Sequence, residues 1–278
     1  MIQRLRAKGV KQSHACRMLK ITRQAINQKR KRDQNNIIDL APIIASVQSI
    51  RKHLPRIGTR KLYDRLKEQL QAQGIGRDRF FEVLRTYQLL IRPRKRFAPT
   101  TNSRHDYPAQ PNLLIHTPAQ KPNDIWVADQ TYLRLPKGFC YLSLVSDLWS
   151  RKIIGYCVYP TLEAVGPLQA LSMALHNDPN AAPRMHHSDR GVQYACSAYN
   201  KVLLEHGITQ SMSAAGCPYH NAVAERINGI LKNEFYLDRI FTSIAQAERA
   251  VAEAINAYNH LRPHLSLMMK TPDMVYAA

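Results

Sequence analysis

The sequence predicts an α/β protein in which small all-α modules of the helix-turn-helix type precede a mixed five-stranded sheet with flanking helices. Three features of the chain indicate this arrangement. Helical periodicity dominates residues 1–91, an irregular stretch rich in Pro and Arg follows, and from residue 121 strand patterns appear, first in succession and then alternating with helices. Successive antiparallel strands followed by strand-helix alternation are typical of a mixed sheet covered by helices.

The chain is divided accordingly. The expected segments are a basic helix-turn-helix-like segment (1–36), a three-helix domain (37–91), a basic linker (92–120), a core that contains the sheet (121–240) and a C-terminal helix with an irregular tail (241–278). A length of 278 residues suits about two domains.

The chain is strongly basic. It carries 40 Lys and Arg against 20 Asp and Glu, a formal charge of +20, while 45% of its residues are hydrophobic. Such a charge suits a polyanionic partner, and the apolar fraction is large enough for a folded core. Together they favour a nucleic-acid-binding protein over a ribosomal or membrane-surface protein.

Cysteine usage and hydropathy exclude several other classes. The five cysteines are scattered and form no Cys-x-x-Cys pair, which argues against a disulfide framework and a zinc ribbon. No apolar run approaches the ~18 residues of a membrane span, and the first residues do not read as a signal peptide. We expect a cytoplasmic, nucleoid-associated protein without membrane contact.

The beginning of the chain is basic and helical. Residues 1–32 contain many Lys and Arg and no acidic residue. Ser13 and Thr22 are suited to cap two short helices separated by a turn. This is helix-turn-helix spacing, in which Arg23 and Lys29 would contact DNA. A basic helical arm with no groove-reading role explains the same pattern.

The next segment reads as three helices, the second over residues 58–70, with breaks at Pro55 and Gly76. Apolar residues recur along one side of the helices and would form a core. The other side is basic, and solvated charge is a sufficient explanation for any one of its residues. The residues expected to face outward are Arg56, Arg60, Lys61, Arg65, Arg77 and Arg79. Three of them, Arg60, Lys61 and Arg65, are candidate DNA contacts.

Residues 92–120 show neither period and read as a flexible linker whose cations can follow a DNA backbone. The core begins after this linker. Its predicted strands span residues 124–135, 139–148, 151–159, 183–188 and 208–213, and its predicted helices span residues 163–176, 197–207, 222–235 and 244–260.

Three carboxylates of the core lie in settings suited to phosphodiester chemistry. Asp129 lies in the first strand, Asp189 just past the fourth, and Glu225 near the start of a helix. Two Mg²⁺ ions about 3.5–4 Å apart can activate an attacking oxygen and stabilise a leaving oxygen. Because Mg²⁺ prefers oxygen ligands and retains waters, three carboxylates suffice to hold such ions. We predict that these carboxylates converge on one metal-dependent catalytic site.

Helix spacing adds two residues to this site. Glu225, Asn228 and Lys232 share one face of the predicted helix, because positions i, i+3 and i+7 align. Lys232 would face the phosphates that the metals bind. Asn228 would position DNA, although packing explains an amide equally well.

Other polar residues of the core have simpler explanations. Asp147, at a strand end, fits local turn hydrogen bonds better than a fourth metal ligand. His186 and His187 alternate along a strand, so at most one of them can approach the metals. We expect structural or substrate contacts from both histidines.

Glu234 is the rival to Glu225 for the third carboxylate. It lies nine residues further along, which on a helix at 100° per residue points about 180° away. In the tail, Arg262 and His264 either touch DNA or cap the preceding helix.

Six strings match, in order, the catalytic core of bacterial insertion-sequence transposases of the OrfB type, which are relatives of retroviral integrases. They are ADQTY, FCYLSLVSD, SRKIIGY, HHSDRGVQY, SMSAAGCPYHNAVAERINGILKNEF and YNHLRPHLSL. The strings SHACRMLKITRQ, GTRKLYDRL and GRDRFFEVLR resemble the helical DNA-binding part of those transposases. The resemblance thus covers most of the chain.

The resemblance implies an RNase H-like fold with a DDE site, here Asp129, Asp189 and Glu225. It implies two Mg²⁺ ions, for which Mn²⁺ can substitute, cleavage of donor DNA ends, and attack of the freed 3′-hydroxyl on another phosphodiester. Lys232 stands where relatives carry a basic residue near the catalytic site. The resemblance also implies a homo-multimer that holds paired element ends and target DNA, with an OrfA partner or a frameshift fusion to it.

The chain departs from the family pattern at three positions. Gln130 stands where the family usually has Ile, on a side of the strand that is normally apolar, and Cys217 and His220 replace residues that are often acidic. None of these removes a predicted metal ligand. The sequence therefore predicts a DNA transposase, with an RNase H-like nuclease that does not join strands and a decayed DNA-binding protein as the alternatives.

Overall fold

The computed structural model describes residue 9 and residues 11–28, 39–91, 110–177, 182–214 and 221–278. The chain forms two compact units, residues 1–46 and residues 47–278. The predicted division into five segments remains a prediction.

The first unit contains two short helices and the start of a third. Helix α1 spans Gln12–Met18 and residues 23–28 form α2. The backbone N–H of Ala25 donates to the Thr22 side chain at 3.1 Å, which confirms the predicted cap of the second helix. The cap predicted at Ser13 is wrong, because α1 already begins at Gln12. The predicted contact residue Lys29 lies outside the described residues.

Helix α3 spans Ala41–His53 and crosses from the first unit into the second. The Asp39 carboxylate accepts a hydrogen bond from the Ala41 N–H at 3.0 Å and satisfies a free donor of the first turn. Pro55 follows the end of the helix, as predicted.

The second unit continues with three helices, α4 (Thr59–Arg65), α5 (Lys67–Ala72) and α6 (Arg77–Thr86). The sequence predicts one helix over residues 58–70, whereas the structure has two, because Leu66 leaves helical geometry at φ −104° and ψ 11°. The predicted apolar stripes form the core of this part of the unit. Its buried side chains include Ile57, Leu62, Leu70, Ile75, Phe80 and Leu84.

The sheet has five strands in the spatial order β3-β2-β1-β4-β5. They span Ile125–Arg134 (β1), Phe139–Asp147 (β2), Ile153–Tyr159 (β3), Met185–Ser188 (β4) and Thr209–Met212 (β5). The first three pair antiparallel, while β4 pairs parallel with β1 and β5 pairs parallel with β4. The predicted mixed sheet is confirmed.

The helices of the core are α7 (Val165–Asn177), α8 (Val192–Ala195), α9 (Ser197–Glu205), α10 (Ala222–Glu234) and α11 (Ile244–His260). Residues of α10 and α11, such as Leu231 and Val251, bury one face of the sheet around Leu142 and Leu144. Residues of α7 and α9 bury the other face around Trp126 and Val145. Alternate strand residues therefore enter opposite cores, as the pleat requires.

Two features of the core were not predicted. The four-residue helix α8 is too short to show a helical period in the sequence. The tail, predicted to be irregular, contains a 3₁₀ turn at Leu265–Leu267 and helix α12 at Pro272–Tyr276, so that prediction is wrong. The Thr271 side chain caps α12, and the Tyr276 hydroxyl donates to Asn123 at 2.8 Å, which holds the tail on the core. Along the described parts of the chain, no helix is both long and apolar enough to cross a membrane.

Candidate active site

Asp129 lies in the middle of β1 on the face that α10 covers. Its Oδ2 accepts a hydrogen bond from Asn228 Nδ2 at 2.8 Å, and its Oδ1 accepts one from the Gln130 N–H at 2.9 Å. Asn221, just before α10, donates to the Ala128 carbonyl at 3.0 Å. Two side-chain amides, one just before α10 and one within it, therefore bond to β1 at Asp129 and the residue before it.

Asp189 directly follows β4, the parallel neighbour of β1. Val127 pairs with His187, so the register carries Asp189 level with Asp129. The Oδ1 of Asp189 accepts a hydrogen bond from the Gly191 N–H at 2.9 Å, which orients the carboxylate in the turn. The parallel pairing thus brings the first two predicted carboxylates side by side.

Glu225 lies in the first turn of α10 and is exposed. It precedes Asn228 by three residues, so both face the same way along the helix. Partial desolvation and the charge of Asp189 raise the pKa of Glu225. The third carboxylate therefore lies within the electrostatic field of the second.

The three carboxylates repel one another. Burial and then the charge of Asp189 raise the pKa of Asp129 to about 7, with a smaller contribution from Glu225, while the hydrogen bonds from Asn228 and Gln130 act to lower it. Over the described residues, no three His, Cys, Asp or Glu side chains are spaced closely enough to hold one metal ion jointly. The charges of the carboxylates therefore affect one another's pKa, but the three side chains are not close enough to bind one metal ion together.

Lys232 lies further along α10, with its Nζ 3.9 Å from the centre of the Tyr132 ring. Desolvation is the main cause that lowers the pKa of Lys232 to about 8; the charge of Asp129 acts against it, and the charge of Arg134 acts with it. The ammonium group is thus held near the carboxylates by an aromatic face. Tyr132 had no functional role in the sequence prediction, because an aromatic residue in a strand is usually part of the packing.

Gln130 points to the opposite face of β1 from Asp129. Both polar atoms of its side-chain amide are buried without a hydrogen-bond partner among the described residues. The Ser143 hydroxyl, on the residue paired with Gln130 across β1 and β2, is also buried and has no partner there. The predicted polar intrusion on an apolar side of the strand is confirmed.

The remaining polar candidates of the core are structural. The Asp147 carboxylate accepts hydrogen bonds from the Ser150 N–H and hydroxyl at 2.7 and 2.5 Å, so the local explanation is confirmed. His186 and His187 are both buried. The first bonds the Tyr199 hydroxyl at 3.0 Å and the second bonds the Ser211 hydroxyl at 2.9 Å.

Several predicted DNA contacts have other positions. Lys61 was expected to face outward, but it is 8% exposed and its Nζ lies 3.3 Å from the Glu234 carboxylate, so that expectation is wrong. Asn228 is buried and its side-chain amide donates to Asp129, which favours the packing explanation, while its role in positioning DNA stays a prediction. Arg23 and Arg60 are exposed, as a DNA contact requires.

Arg65 is exposed, yet its guanidinium donates to the Leu261 carbonyl at 2.5 Å. Glu234 faces away from Glu225, as predicted, and pairs with Arg262. Arg262 and His264 are both buried, which argues against the DNA-contact alternative. The Arg262 N–H donates to the Ala257 carbonyl at 3.0 Å in the last turn of α11, so the capping alternative is supported at Arg262.

Family comparisons agree with this geometry. The integrase core domain matches residues 119–218, and a second family model of the integrase core domain matches residues 206–272. An uncharacterized 31 kDa protein of insertion element IS600 from Shigella sonnei is 36% identical over 217 residues, which are 76% of this chain and 80% of the relative. Transposase InsF of insertion sequence IS3A from Escherichia coli strain K12 is 36% identical over 208 residues, 72% of this chain and 71% of the relative.

Solved structures share the fold. A chain in the structure of the simian T-cell lymphotropic virus intasome in complex with PP2A regulatory subunit B56 gamma is 18% identical, with a TM-score of 0.51, over 80% of this chain and 75% of that chain. The HTLV-2 integrase catalytic core domain in complex with magnesium is 20% identical, with a TM-score of 0.45, over 56% of this chain and 97% of that chain. The predicted RNase H-like core is confirmed. The chain belongs to the family of bacterial insertion-sequence transposases that carry an integrase core domain, and it is a DDE polynucleotidyl transferase.

Proposed function

We propose that Asp129, Asp189 and Glu225 are the catalytic carboxylates with which this transposase cleaves the ends of its element and joins them to target DNA. The observation that carries the proposal is the parallel pairing of β1 with β4, which sets Asp129 and Asp189 level with each other. Helix α10 brings Glu225 to the same side through the bond from Asn228 to Asp129.

The donor set fits divalent cations. It consists of hard carboxylate oxygens, and the charge of Asp189 helps to raise the pKa of Asp129, a repulsion that a bound cation would offset. Two Mg²⁺ ions suit this arrangement better than one ion bound by all three carboxylates. Each Mg²⁺ needs only one or two protein carboxylates, because waters and phosphate oxygens complete its coordination. When bound, such ions supply activation of the attacking oxygen and stabilisation of the leaving oxygen. Mn²⁺ would serve in the same way.

The protein's own residues prepare the site. Asn228 and the Gln130 N–H fix both oxygens of Asp129, and the Gly191 N–H fixes one oxygen of Asp189. Lys232, held over Tyr132, supplies a cation for a phosphate that approaches the carboxylates. Exposed Arg23 and Arg60 would bind the DNA backbone outside the site.

The family resemblance supports a homo-multimer on paired element ends, with OrfA or a fusion to it contributing to end recognition. A chain from a viral intasome is among the structural relatives. The basic, folded chain, with its charge of +20, suits simultaneous contact with donor and target DNA.

A strand-transfer assay tests the proposal. Purified protein, Mg²⁺ and a duplex with the element's own ends are incubated, and the wild type is compared with Asp189→Asn and with Asp78→Asn, a matched change at an exposed residue of α6. We expect end-specific cleavage and joined product from the wild type and Asp78→Asn, and a loss of at least about a thousandfold in Asp189→Asn.

The other outcomes favour other functions. Hydrolysis without joined product would indicate a nuclease. Binding without any product, also after addition of OrfA, would indicate a decayed enzyme. Full activity of Asp189→Asn would remove this residue from the site.

A further inference from the structure

The last residue of α10, the helix that carries Glu225 and is called the catalytic helix below, is the centre of a largely buried cluster of charges. Glu234 accepts hydrogen bonds from Arg262 Nε at 2.9 Å and Nη2 at 2.7 Å, a bidentate pair, and from Lys61 Nζ at 3.3 Å. The three residues, here called the junction, come from α10, from the segment after α11 and from α4. Arg262 is 2% exposed and Lys61 is 8% exposed.

Backbone hydrogen bonds reinforce the junction. The Arg56 guanidinium donates to the Asn233 carbonyl at 3.1 Å, and the Arg56 N–H donates to the Glu234 carbonyl at 3.2 Å. These donors satisfy carbonyls that the end of a helix leaves free. Arg65, one turn after Lys61, donates to the Leu261 carbonyl beside Arg262. Residues of α4 and of the turn before it are thus hydrogen-bonded to the C-terminal ends of α10 and α11.

The charges in the junction influence each other. Burial acts to raise the pKa of Glu234, but the hydrogen bonds and charges of Arg262 and Lys61 outweigh it and lower this pKa. Burial and then the charge of Arg262 lower the pKa of Lys61 to about 8, against the attraction of Glu234. One carboxylate therefore serves two cations, and Lys61 is the more weakly held of them.

The junction is connected to the catalytic site by a single rigid element. Glu225 and Glu234 belong to one uninterrupted helix of 13 residues, and nine residue steps correspond to about 13 Å along its axis. A rotation or shift at the C-terminal end of α10 therefore moves Glu225 and Asn228 as well. On the outer side of α4, next to buried Lys61, Arg60 is exposed.

We propose that the junction positions the catalytic helix in response to DNA: DNA held on the exposed side of α4 sets the orientation of α10, and with it the position of Glu225, through Lys61 and Glu234. Lys61 and Glu234 are positioning residues in this proposal. It rests on the proposed function in one respect, since Glu225 is taken as catalytic.

The test separates this role from direct DNA contact. Lys61→Met removes the cation but keeps the length of the side chain and leaves the Arg262 pair with Glu234 intact. Because Lys61 is buried, we expect the dissociation constant of a duplex with the element's ends, and its salt dependence, to stay within about twofold of the wild type. We expect the single-turnover cleavage rate to fall about tenfold, since small misplacements of a catalytic group are costly.

The deciding readout is hydrogen exchange without metal. In the full-length wild type, addition of the duplex should slow exchange in peptides covering residues 222–234. In Lys61→Met, DNA should still slow exchange in residues 59–65, but no longer in residues 222–234. Lys61→Arg should restore the wild-type behaviour. The control is Glu205→Gln, which removes an exposed ion pair with Lys201 at 3.9 Å and should change nothing.

Three results would overturn the proposal. In the first, DNA leaves exchange in residues 222–234 of the wild type unchanged. In the second, Lys61→Met retains the DNA-dependent protection. In the third, Lys61→Met weakens binding and flattens the salt dependence as Arg60→Ala does, which makes Lys61 a direct contact.

If thermal unfolding shows that Lys61→Met does not fold, Glu234→Gln, which keeps the acceptor oxygen, takes its place with the same expectations. Because the exchange measurement needs no catalysis, it remains informative if the wild type proves inactive. A failure of the proposed function is then seen in the strand-transfer assay alone.

Discussion

At the scale of single residues, burial and the charge of Asp189 raise the pKa of Asp129, and hydrogen bonds partly offset that rise. Asp129 has one oxygen bonded to a side-chain amide and the other to a backbone N–H. Both bonds favour the ionised form that a metal site needs, against burial and the charge of Asp189. Asn228 therefore orients the first carboxylate and opposes part of the rise in its pKa.

Asn228→Ala tests this role. The change removes the donor to Asp129, and we expect cleavage to fall about 10- to 100-fold, as for other groups that orient a metal ligand. The affinity for DNA should not change, because Asn228 is buried. Single-turnover cleavage and fluorescence anisotropy measure the two quantities.

The control is Asn233→Ala, since Asn233 is an exposed residue of the same helix. It should leave the cleavage rate at the wild-type value. A weaker affinity for DNA in Asn228→Ala would instead support the original prediction that Asn228 contacts DNA.

His264 makes folding sensitive to acid. Burial, followed by the charges of Arg262 and Lys61, lowers its pKa to about 2. The folded protein keeps this imidazole neutral, whereas the unfolded chain takes up a proton near pH 6.5. Its contribution to stability is therefore complete above about pH 6.5 and is lost progressively below it, by at most about 1.4 kcal/mol per pH unit.

His264→Phe should remove this dependence. Urea unfolding measures the free energy of unfolding at pH 7.5 and at pH 5.5. Between these two pH values, the free energy of unfolding should fall by about 1 kcal/mol more in the wild type than in the variant. The control is His206→Gln, a change at an exposed histidine. The free energy of unfolding of this variant should fall between the two pH values by as much as that of the wild type. Equal losses in wild type and His264→Phe would contradict the assignment.

At the scale of elements, helix α7 packs very closely against strand β3 at Gly155. An added Cβ at Gly155 in β3 would lie 2.1 Å from the Ala170 carbonyl oxygen and 2.9 Å from the Ala174 Cβ, both in α7. Only a residue without a side chain lets this helix lie against the strand. At Gly229 in α10, by contrast, nothing lies within 4 Å of the added atom.

The two glycines should respond oppositely to alanine. Gly155→Ala is expected to lower the free energy of unfolding by about 2–3 kcal/mol or more, because helix backbone must move. Gly229→Ala is expected to raise it by about 0.5–1 kcal/mol, because alanine favours the helical conformation. Urea unfolding measures both, and a neutral Gly155→Ala would show that α7 can shift freely.

At the scale of the whole molecule, charge governs the interaction with DNA. The formal charge is +20, and several cations, including Arg23 and Arg60, are exposed. Phosphates neutralised by such residues release counterions, so the affinity depends on salt whatever chemistry follows. Binding and catalysis should therefore be separable by substitution.

The salt dependence checks this separation. With six or more phosphates neutralised, the affinity for DNA should fall by about a thousandfold or more between 50 and 200 mM salt. Asp189→Asn should keep the wild-type slope of log K against log salt, while Arg60→Ala should reduce it by about 1. Fluorescence anisotropy over a salt series gives the slopes, and a wild-type slope near zero would contradict phosphate neutralisation.

The sequence by itself determined the order of the elements, the mixed sheet and the family. These features are recorded locally, in the alternation of strands, in helical periodicity and in short motifs around Asp129, Asp189 and Glu225. It also identified Glu234 as pointing away from the site, because helical phase depends only on the number of intervening residues.

Only the tertiary structure decided which polar residues meet. Lys61 and Glu234 are 173 positions apart, and Asn228 and Asp129 are 99 positions apart, so no local pattern reports their contact. For this reason Lys61 was expected at the surface, and the sequence left DNA positioning and packing as equal explanations of Asn228. The sequence around a helical lysine is the same whether its side chain is exposed to water or buried in an ion pair. Only the packing of segments that are distant in sequence decides between these two environments.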